Sequence, residues 1–393
     1  MITVMHDFVA MLVNGAGDVS SSARSWSAAG ALLVLLWIAL ATLLPPILRR
    51  IESDSSARQD GRSDRLQRNL DWATERRKIF ADYEKVRRSL NIAGPSTGVV
   101  ATEEFKVNSR GVELFTKSWL PESGQPKGLI FYCHGYGDTI SFFFEGIARR
   151  LARAQYAVFG MDYEGFGLSS GLHGYIESFD VLVDDVIEHY SSIRERKEFT
   201  GLPCFLFGES MGGAIAIKAH LKQPKVWDGA VLVAPMCKAS QHIADDMYPP
   251  WILVQILKAL VPVFPKSKLL PTRDLAAYAF KDPEKRKKAY YNVVGYVDRP
   301  RLRTAWELLV TTQEIESSMR QVSLPLLILH GGADKVTDPS VSKALYDNAS
   351  STDKRLYLYE GVYHGILEGE PDDTIDRVLA DICSWLDLHS KQN

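Results

Sequence analysis

Gly208-Glu209-Ser210-Met211-Gly212 lies between an apolar run, Pro203 to Phe207, and a small-residue stretch, Gly213-Ala214-Ile215-Ala216-Ile217-Lys218-Ala219. The order strand, G-x-S-x-G, helix is the context that turns a common pentapeptide into a nucleophile elbow. A serine there stands on a sharp turn, and glycines two residues to either side let strand and helix pack close around it. The helix N-terminus behind it favours developing negative charge. A second match, Gly167-Leu168-Ser169-Ser170-Gly171, follows the strand-like run Tyr156 to Met161 but leads into Leu172-His173-Gly174-Tyr175. Glycines at that spacing read as a loop. Ser210 is therefore the candidate nucleophile and Ser169 a structural serine.

Outward from the elbow, apolar strand-like runs alternate with helical patterns. The strands are Gly128 to Cys133, Tyr156 to Met161, Pro203 to Phe207, Gly229 to Ala234, Leu324 to Leu329 and Arg355 to Tyr359. Helical stretches include Phe142 to Arg153, Phe179 to Glu195 and Met211 to Gln223. This alternation predicts an α/β fold: a mostly parallel sheet buried between two helical layers. Glu103 to Val107 and Val112 to Trp119, joined through Ser109-Arg110-Gly111, predict an opening β-hairpin.

From Cys237 to Met319 the alternation stops, and prolines punctuate helical stretches. The core is then residues 96–236 and 320–393, and the insertion 237–319 reads as a cap over the C-terminal edge of the sheet, where open α/β sheets bind ligands. In it, Trp251, Ile252, Leu253, Ile256, Leu257 and Leu260 follow a helical spacing better suited to cap core than to substrate contact. Lys285 to Lys288 follow an Asp-Pro helix start and read as a solvated face.

Residues 1–95 form an N-terminal extension. Ala28 to Leu48 contains no charged residue and is long enough, at about 30 Å as a helix, to cross a hydrocarbon core. A membrane helix is the expectation; a cleaved targeting segment and a buried soluble helix are the alternatives. Arg49, Arg50, Arg58, Arg62, Arg65 and Arg68 follow the span against Arg24 before it, which puts the catalytic bulk on the cytosolic side if the span is used. Plastid and soluble cytoplasmic locations are the alternatives. Residues 62–90 continue as a charged helical pattern read as a solvated linker helix.

The formal net charge of −2 over 393 residues argues against nucleic acid as a partner. Cys133, Cys204, Cys237 and Cys383 have no metal-ligand spacing, so neither metal nor disulfide framework is expected. No cofactor is implied. Nothing in the sequence speaks to oligomeric state.

A serine hydroxyl needs a base and a third group to orient that base. The strand Leu324 to Leu329 leads into His330-Gly331-Gly332-Ala333-Asp334, and the strand Arg355 to Tyr359 leads into Glu360-Gly361-Val362-Tyr363-His364-Gly365. Asp334 and His364 thus fall in loops at the sheet edge that carries Ser210, in the order Ser, Asp, His. Asp338 is read as the cap of a helix starting at Pro339, and Asp184 and Asp185 as solvent-exposed. His134 and His330 each follow a strand and read as hydrogen-bonded structural histidines, and His173 and His242 are weaker competitors. Met211 N–H, and Tyr136 N–H in His134-Gly135-Tyr136-Gly137, are the candidate oxyanion-hole donors.

From about residue 100 to 390 the chain resembles the plant monoacylglycerol lipase and lysophospholipase-like group of the α/β-hydrolases, which includes caffeoylshikimate esterases. The residues that carry the likeness are 131–138 (FYCHGYGD), 207–214 (FGESMGGA), 231–237 (VLVAPMC), 330–339 (HGGADKVTDP) and 363–365 (YHG). The resemblance implies a Ser210, Asp334, His364 triad, an oxyanion hole at Tyr136 and Met211, and an apolar access tunnel in the cap. Some members carry a His-x4-Asp acyltransferase signature; here three residues separate His134 from Asp138, so acyl transfer is not indicated. The expected activity is hydrolysis of a monoacylglycerol or lysophospholipid through an acyl-enzyme. A phenylpropanoid ester is the alternative substrate, with Tyr248, Trp251, Tyr290 and Tyr291 able to stack on its ring. A non-catalytic ligand sensor on the same fold is the alternative from another class.

Overall fold

The protein is described by a computed structural model over residues 69–89, 97–237, 250–270 and 275–391. Gln67–Asn393 form one compact unit. The stretch 28–48, Tyr248 and His242 lie outside the described residues, and among those described no helix is long and apolar enough to cross a membrane.

Eight strands form one sheet: β1 (Val99–Val107), β2 (Glu113–Pro121), β3 (Leu129–Cys133), β4 (Ala157–Met161), β5 (Cys204–Glu209), β6 (Gly229–Val233), β7 (Leu326–Gly331) and β8 (Lys354–Tyr359). Their spatial order is β1-β2-β4-β3-β5-β6-β7-β8. β1 and β2 are the antiparallel hairpin, β2 joins β4 antiparallel, and every pair from β4 to β8 is parallel. Strands β3 to β7 are buried along their whole length, as two-sided coverage requires.

Alternate residues feed two cores. Leu129, Phe131, Cys133 and Leu206 point into one, with residues of α3 (Phe179–Arg194) and α4 (Met211–Lys222). Ile130, Tyr132, Phe205 and Phe207 enter the other, packed with α2 (Phe143–Arg153) and α10 (Asp372–His389). Between β6 and β7 the chain leaves the sheet for α5 (Pro250–Leu260), α6 (Leu275–Ala279), α7 (Pro283–Ala289) and α8 (Leu302–Ser318). It returns to the strand beside the one it left, with Ala230 opposite Leu326. Leu257 and Val261 pack with Leu302, and Leu260 joins them, so these insertion residues build its own core. Helix α9 (Pro339–Asn348) connects β7 to β8.

The helix α1 (Ala73–Ser89) departs from the reading of a solvated linker. Arg76 is fully buried, and its guanidinium donates to the carbonyls of Gly167 (2.7 Å), Ser169 (2.6 Å), Gly171 (3.4 Å), Leu70 (3.0 Å) and Asp71 (3.2 Å). Arg77 donates to Leu168 O at 2.8 Å and pairs with Glu113 at 2.7 Å. The compact unit accordingly begins at Gln67, ahead of the boundary expected near residue 95. One turn earlier, Asp71 accepts from Arg301 at 2.6 Å, immediately before α8. A row of arginines looks solvated in sequence; only the tertiary contact distinguishes Arg76 from its neighbours.

Candidate active site

Ser210 joins β5 to α4 with φ 53° and ψ −116°, a backbone that L-residues avoid. The turn is held from both sides: Ser210 N–H donates to Val233 O at 2.9 Å, and Ser210 O accepts from Met236 N–H at 2.9 Å. The two elbow glycines are dictated by space. A Cβ on Gly208 would sit 2.4 Å from Gly212 O, and one on Gly212 would sit 1.8 Å from Cys133 O. That second approach draws the turn after β3 against the elbow, and a Cβ on Gly135 would stand 3.5 Å from Ser210 Cβ. Tyr136 and Gly137 continue this turn. The Tyr136 ring packs edge-on against Phe166 and Tyr296, while its backbone belongs to the turn beside Ser210. Met211 opens α4 and is fully buried.

Parallel strands β5, β7 and β8 end at one edge, so Ser210, Asp334 and His364 follow three strand C-termini on that edge. Asp334 is saturated by donors. Its Oδ1 accepts from Val336 N–H (2.7 Å) and Thr337 N–H (3.0 Å). Its Oδ2 accepts from Thr337 Oγ1 (2.9 Å), His330 Nε2 (3.1 Å) and His364 Nδ1 (2.6 Å). Burial alone would raise this carboxyl, but the charge of His364 and the hydrogen bonds from His330 and His364 outweigh it and hold it well below the usual carboxylate range. In return, burial pulls His364 down, while the charge of Asp334, its hydrogen bond, and the charge of Glu209 raise it above an ordinary imidazole. The side chain is only 11% exposed and its Nδ1 is taken by Asp334, so Nε2 is the nitrogen left for chemistry.

The competing residues have other work. Ser169 is buried, donates to Asp162 O at 2.5 Å and accepts from Phe115 N–H at 2.8 Å. His134 is bonded to Gly135 O at 2.8 Å and stacked on Tyr163, and burial pushes it down to about 3. His330 bridges Ser342 Oγ at 2.6 Å and Asp334, and His173 bonds Val294 O at 3.1 Å. Asp338 caps α9 through Ser340 N–H at 2.8 Å. Asp184 is exposed and paired with Lys222, but Asp185 corrects the solvent-exposed reading: it is buried under a bidentate Arg110, at 2.9 and 2.5 Å. Lys285 likewise is more than a solvated face, because it bonds Glu370 O at 2.7 Å and Asp372 at 2.5 Å.

Insertion residues reach both loops of the site. Tyr296 N–H donates to Gly137 O at 2.7 Å, and Asn292 Nδ2 donates to Asp138 at 3.2 Å. Gly365 N–H donates to Ala279 O at 2.9 Å, one residue past His364. Trp251 lies on α5; Tyr290 and Tyr291 are exposed at the end of α7. Sequence reasoning passed over Glu209, at the end of β5, whose charge acts on His364, and over Asp138 and Glu368, loop carboxyls whose charges oppose one another and that of Glu209. Among the described residues no cluster of metal-ligating side chains occurs.

The family model described as "Serine aminopeptidase, S33" (Hydrolase_4) matches residues 124–372. Caffeoylshikimate esterase of Arabidopsis thaliana is 35% identical over 298 residues, 76% of this chain and 88% of that protein. Monoglyceride lipase of Homo sapiens is 34% identical over 282 residues, 71% of this chain and 88% of that protein. Among solved structures, a soluble variant of the Saccharomyces cerevisiae monoglyceride lipase in complex with a substrate analog superposes with a TM-score of 0.67 at 20% identity, covering 75% of this chain and 97% of that one. With the elbow, the parallel sheet and these relatives taken together, the chain belongs to the Hydrolase_4 family and, within it, to the monoglyceride lipase-like group of α/β-hydrolases, which are carboxylic ester hydrolases.

Proposed function

We propose that this protein hydrolyses a lipid monoester, a monoacylglycerol or a lysophospholipid, through an acyl-enzyme on Ser210. The observation that carries it is the 2.6 Å bond from His364 Nδ1–H to a fully engaged Asp334, at the sheet edge that bears the elbow. Ser210 Oγ attacks the acyl carbonyl and its proton passes to His364 Nε2. The imidazolium keeps its Nδ1–H on Asp334, and the tetrahedral oxyanion takes hydrogen bonds from the Met211 and Tyr136 N–H groups. Collapse returns the Nε2 proton to the departing alcohol. Water then enters, His364 takes its proton, and the fatty acid leaves with Ser210 restored. The insertion 237–319 serves as the cap above this site, receiving the acyl chain, and residues 28–48 as the membrane attachment.

The relatives support an ester substrate of this class: a protein named monoglyceride lipase in Homo sapiens is 34% identical, and one named monoacylglycerol lipase in Mycolicibacterium smegmatis is 28% identical. A phenylpropanoid ester is the second reading, favoured by the 35% identity to a caffeoylshikimate esterase. Comparing kcat/KM for a monoacylglycerol, a lysophospholipid and a caffeoyl ester decides between them. Ser210→Ala should lower kcat by about 10⁶-fold; near-normal hydrolysis by that variant refutes the acyl-enzyme.

A further inference from the structure

Glu209 ends β5 beside the nucleophile and is 7% exposed. A buried carboxylate is costly unless something pairs with it. Among the described residues, the ion pairs of the structure give it no lysine or arginine. What it has is the Tyr132 hydroxyl, which donates to Oε2 at 3.1 Å, and the charge of His364. Tyr132 is itself fixed, its ring stacked on Phe144 with centroids 3.3 Å apart.

Two more buried carboxyls, from the loops after β3 and β8, feel the charge of Glu209. Asp138 follows the turn after β3 and accepts from Asn292 at 3.2 Å. Glu368 lies four residues beyond His364. Negative charge on Glu209 opposes ionisation of both of the others. Burial and repulsion from Asp138 and Glu209 push Glu368 well up, and burial with repulsion from Glu209 and Asp162 pushes Asp138 up to about 7. Asp162, behind Asp138, is held by Thr139, Ile140 N–H and Leu168 N–H. Burial also raises Glu209, but it alone of the three is drawn back by His364 and by a tyrosine hydroxyl. Asp138 is drawn back by Thr139 N–H and Asn292, but of the three only Glu209 is coupled to the charge of His364.

We propose that Glu209 is a positioning residue for the acyl-transfer steps: a second carboxylate, besides Asp334, that stabilises the His364 imidazolium formed when Ser210 gives up its proton. The inference rests on the Ser210, His364, Asp334 reading. Asp334 holds Nδ1 by a direct hydrogen bond; Glu209 acts by charge, and Tyr132 keeps it charged. The remaining groups around His364 are Thr337 at 3.1 Å and His330, which reaches it through Asp334.

The test is the pH profile of kcat/KM for glycerol release from a monoacylglycerol by the full chain. The acid limb reports the histidine that must be neutral to act as base. Removing a negative charge beside it lowers its affinity for the proton. Glu209→Gln should therefore move the limb to lower pH by about half to one pH unit and lower the plateau roughly 3- to 10-fold. Glu209→Asp, which keeps the charge, should bring the limb most of the way back. Tyr132→Phe, which leaves the stacked ring in place, should move it the same way by less, and it decides the matter if Glu209→Gln does not fold. A merely structural role lowers thermal stability or the plateau while the limb stays fixed, which overturns the proposal; so does a plateau that rises in Glu209→Gln. Ser210→Ala is assayed alongside. If it still hydrolyses, the function reading fails; if it is inactive while the Glu209→Gln limb is unmoved, only the role of Glu209 falls.

Discussion

Replacing Arg76 with methionine tests whether α1 is part of the catalytic unit. Methionine keeps the length and most of the apolar stem but donates nothing. Two of the five carbonyls that Arg76 serves, those of Gly167 and Ser169, accept it in fully buried bonds at 2.7 and 2.6 Å. The other three are partly buried, and water can replace the guanidinium there. Hydrogen bonds to a charged group contribute about 1.5–3 kcal/mol each, so the two buried ones set a loss of about 3–6 kcal/mol. Part of this returns, because the charge is held at a cost: burial pushes the guanidinium down to about 10. A net loss of about 2–4 kcal/mol remains, which in a unit this large lowers Tm by roughly 3–6 °C. The assay is thermal unfolding of the full chain, with Arg76→Lys alongside, since an ammonium cannot span the same five oxygens. A Tm for Arg76→Met within about 1 °C of the parent would refute the reasoning, because a loss of even 1 kcal/mol should show.

Asp334→Asn should lower kcat by about 10⁴-fold, because the amide cannot both hold the Nδ1–H tautomer and offset the imidazolium. The carboxylate raises His364, so the residual activity should show its acid limb displaced to lower pH, measured as log kcat/KM against pH; a limb displaced upward contradicts the assignment. Gly212→Ala should yield insoluble or unfolded protein, since its Cβ would meet Cys133 O at 1.8 Å, and soluble expression with a native Tm would show that the elbow has slack. Ser210→Cys should fold as the parent does, whereas Ser210→Thr should lose about 1–3 kcal/mol, because φ 53° is harder for a β-branched residue; equal Tm values would contradict the strain.

Much of this arrangement is readable from the chain. The apolar runs end within two residues of β3 to β8, since buried parallel strands leave a continuous signal. The triad candidates could be found because each follows such a run and chemistry limits the residue types to Ser, Asp and His. Other features carried no local mark. Arg76 is one of many arginines ahead of the first strand, and its burial depends on a loop 91–95 residues away. Asp185 sits on a helix face that looks polar until Arg110 and Asn108 arrive from the β1–β2 turn. Glu209, Asp138 and Glu368 share no spacing rule, because the sheet edge brings them together through three different connections.

The return of the insertion to β7, directly beside β6, has a consequence for how such an enzyme can change. Chain can be added to or removed from the insertion without altering the register that sets Ser210, Asp334 and His364, because departure and return share one ladder from Ala230–Leu326 to Val233–Leu329. The sheet works as a socket and the insertion as a replaceable fitting. Selection for a new leaving group can therefore act on residues between these two strands while the chemistry beneath is inherited intact.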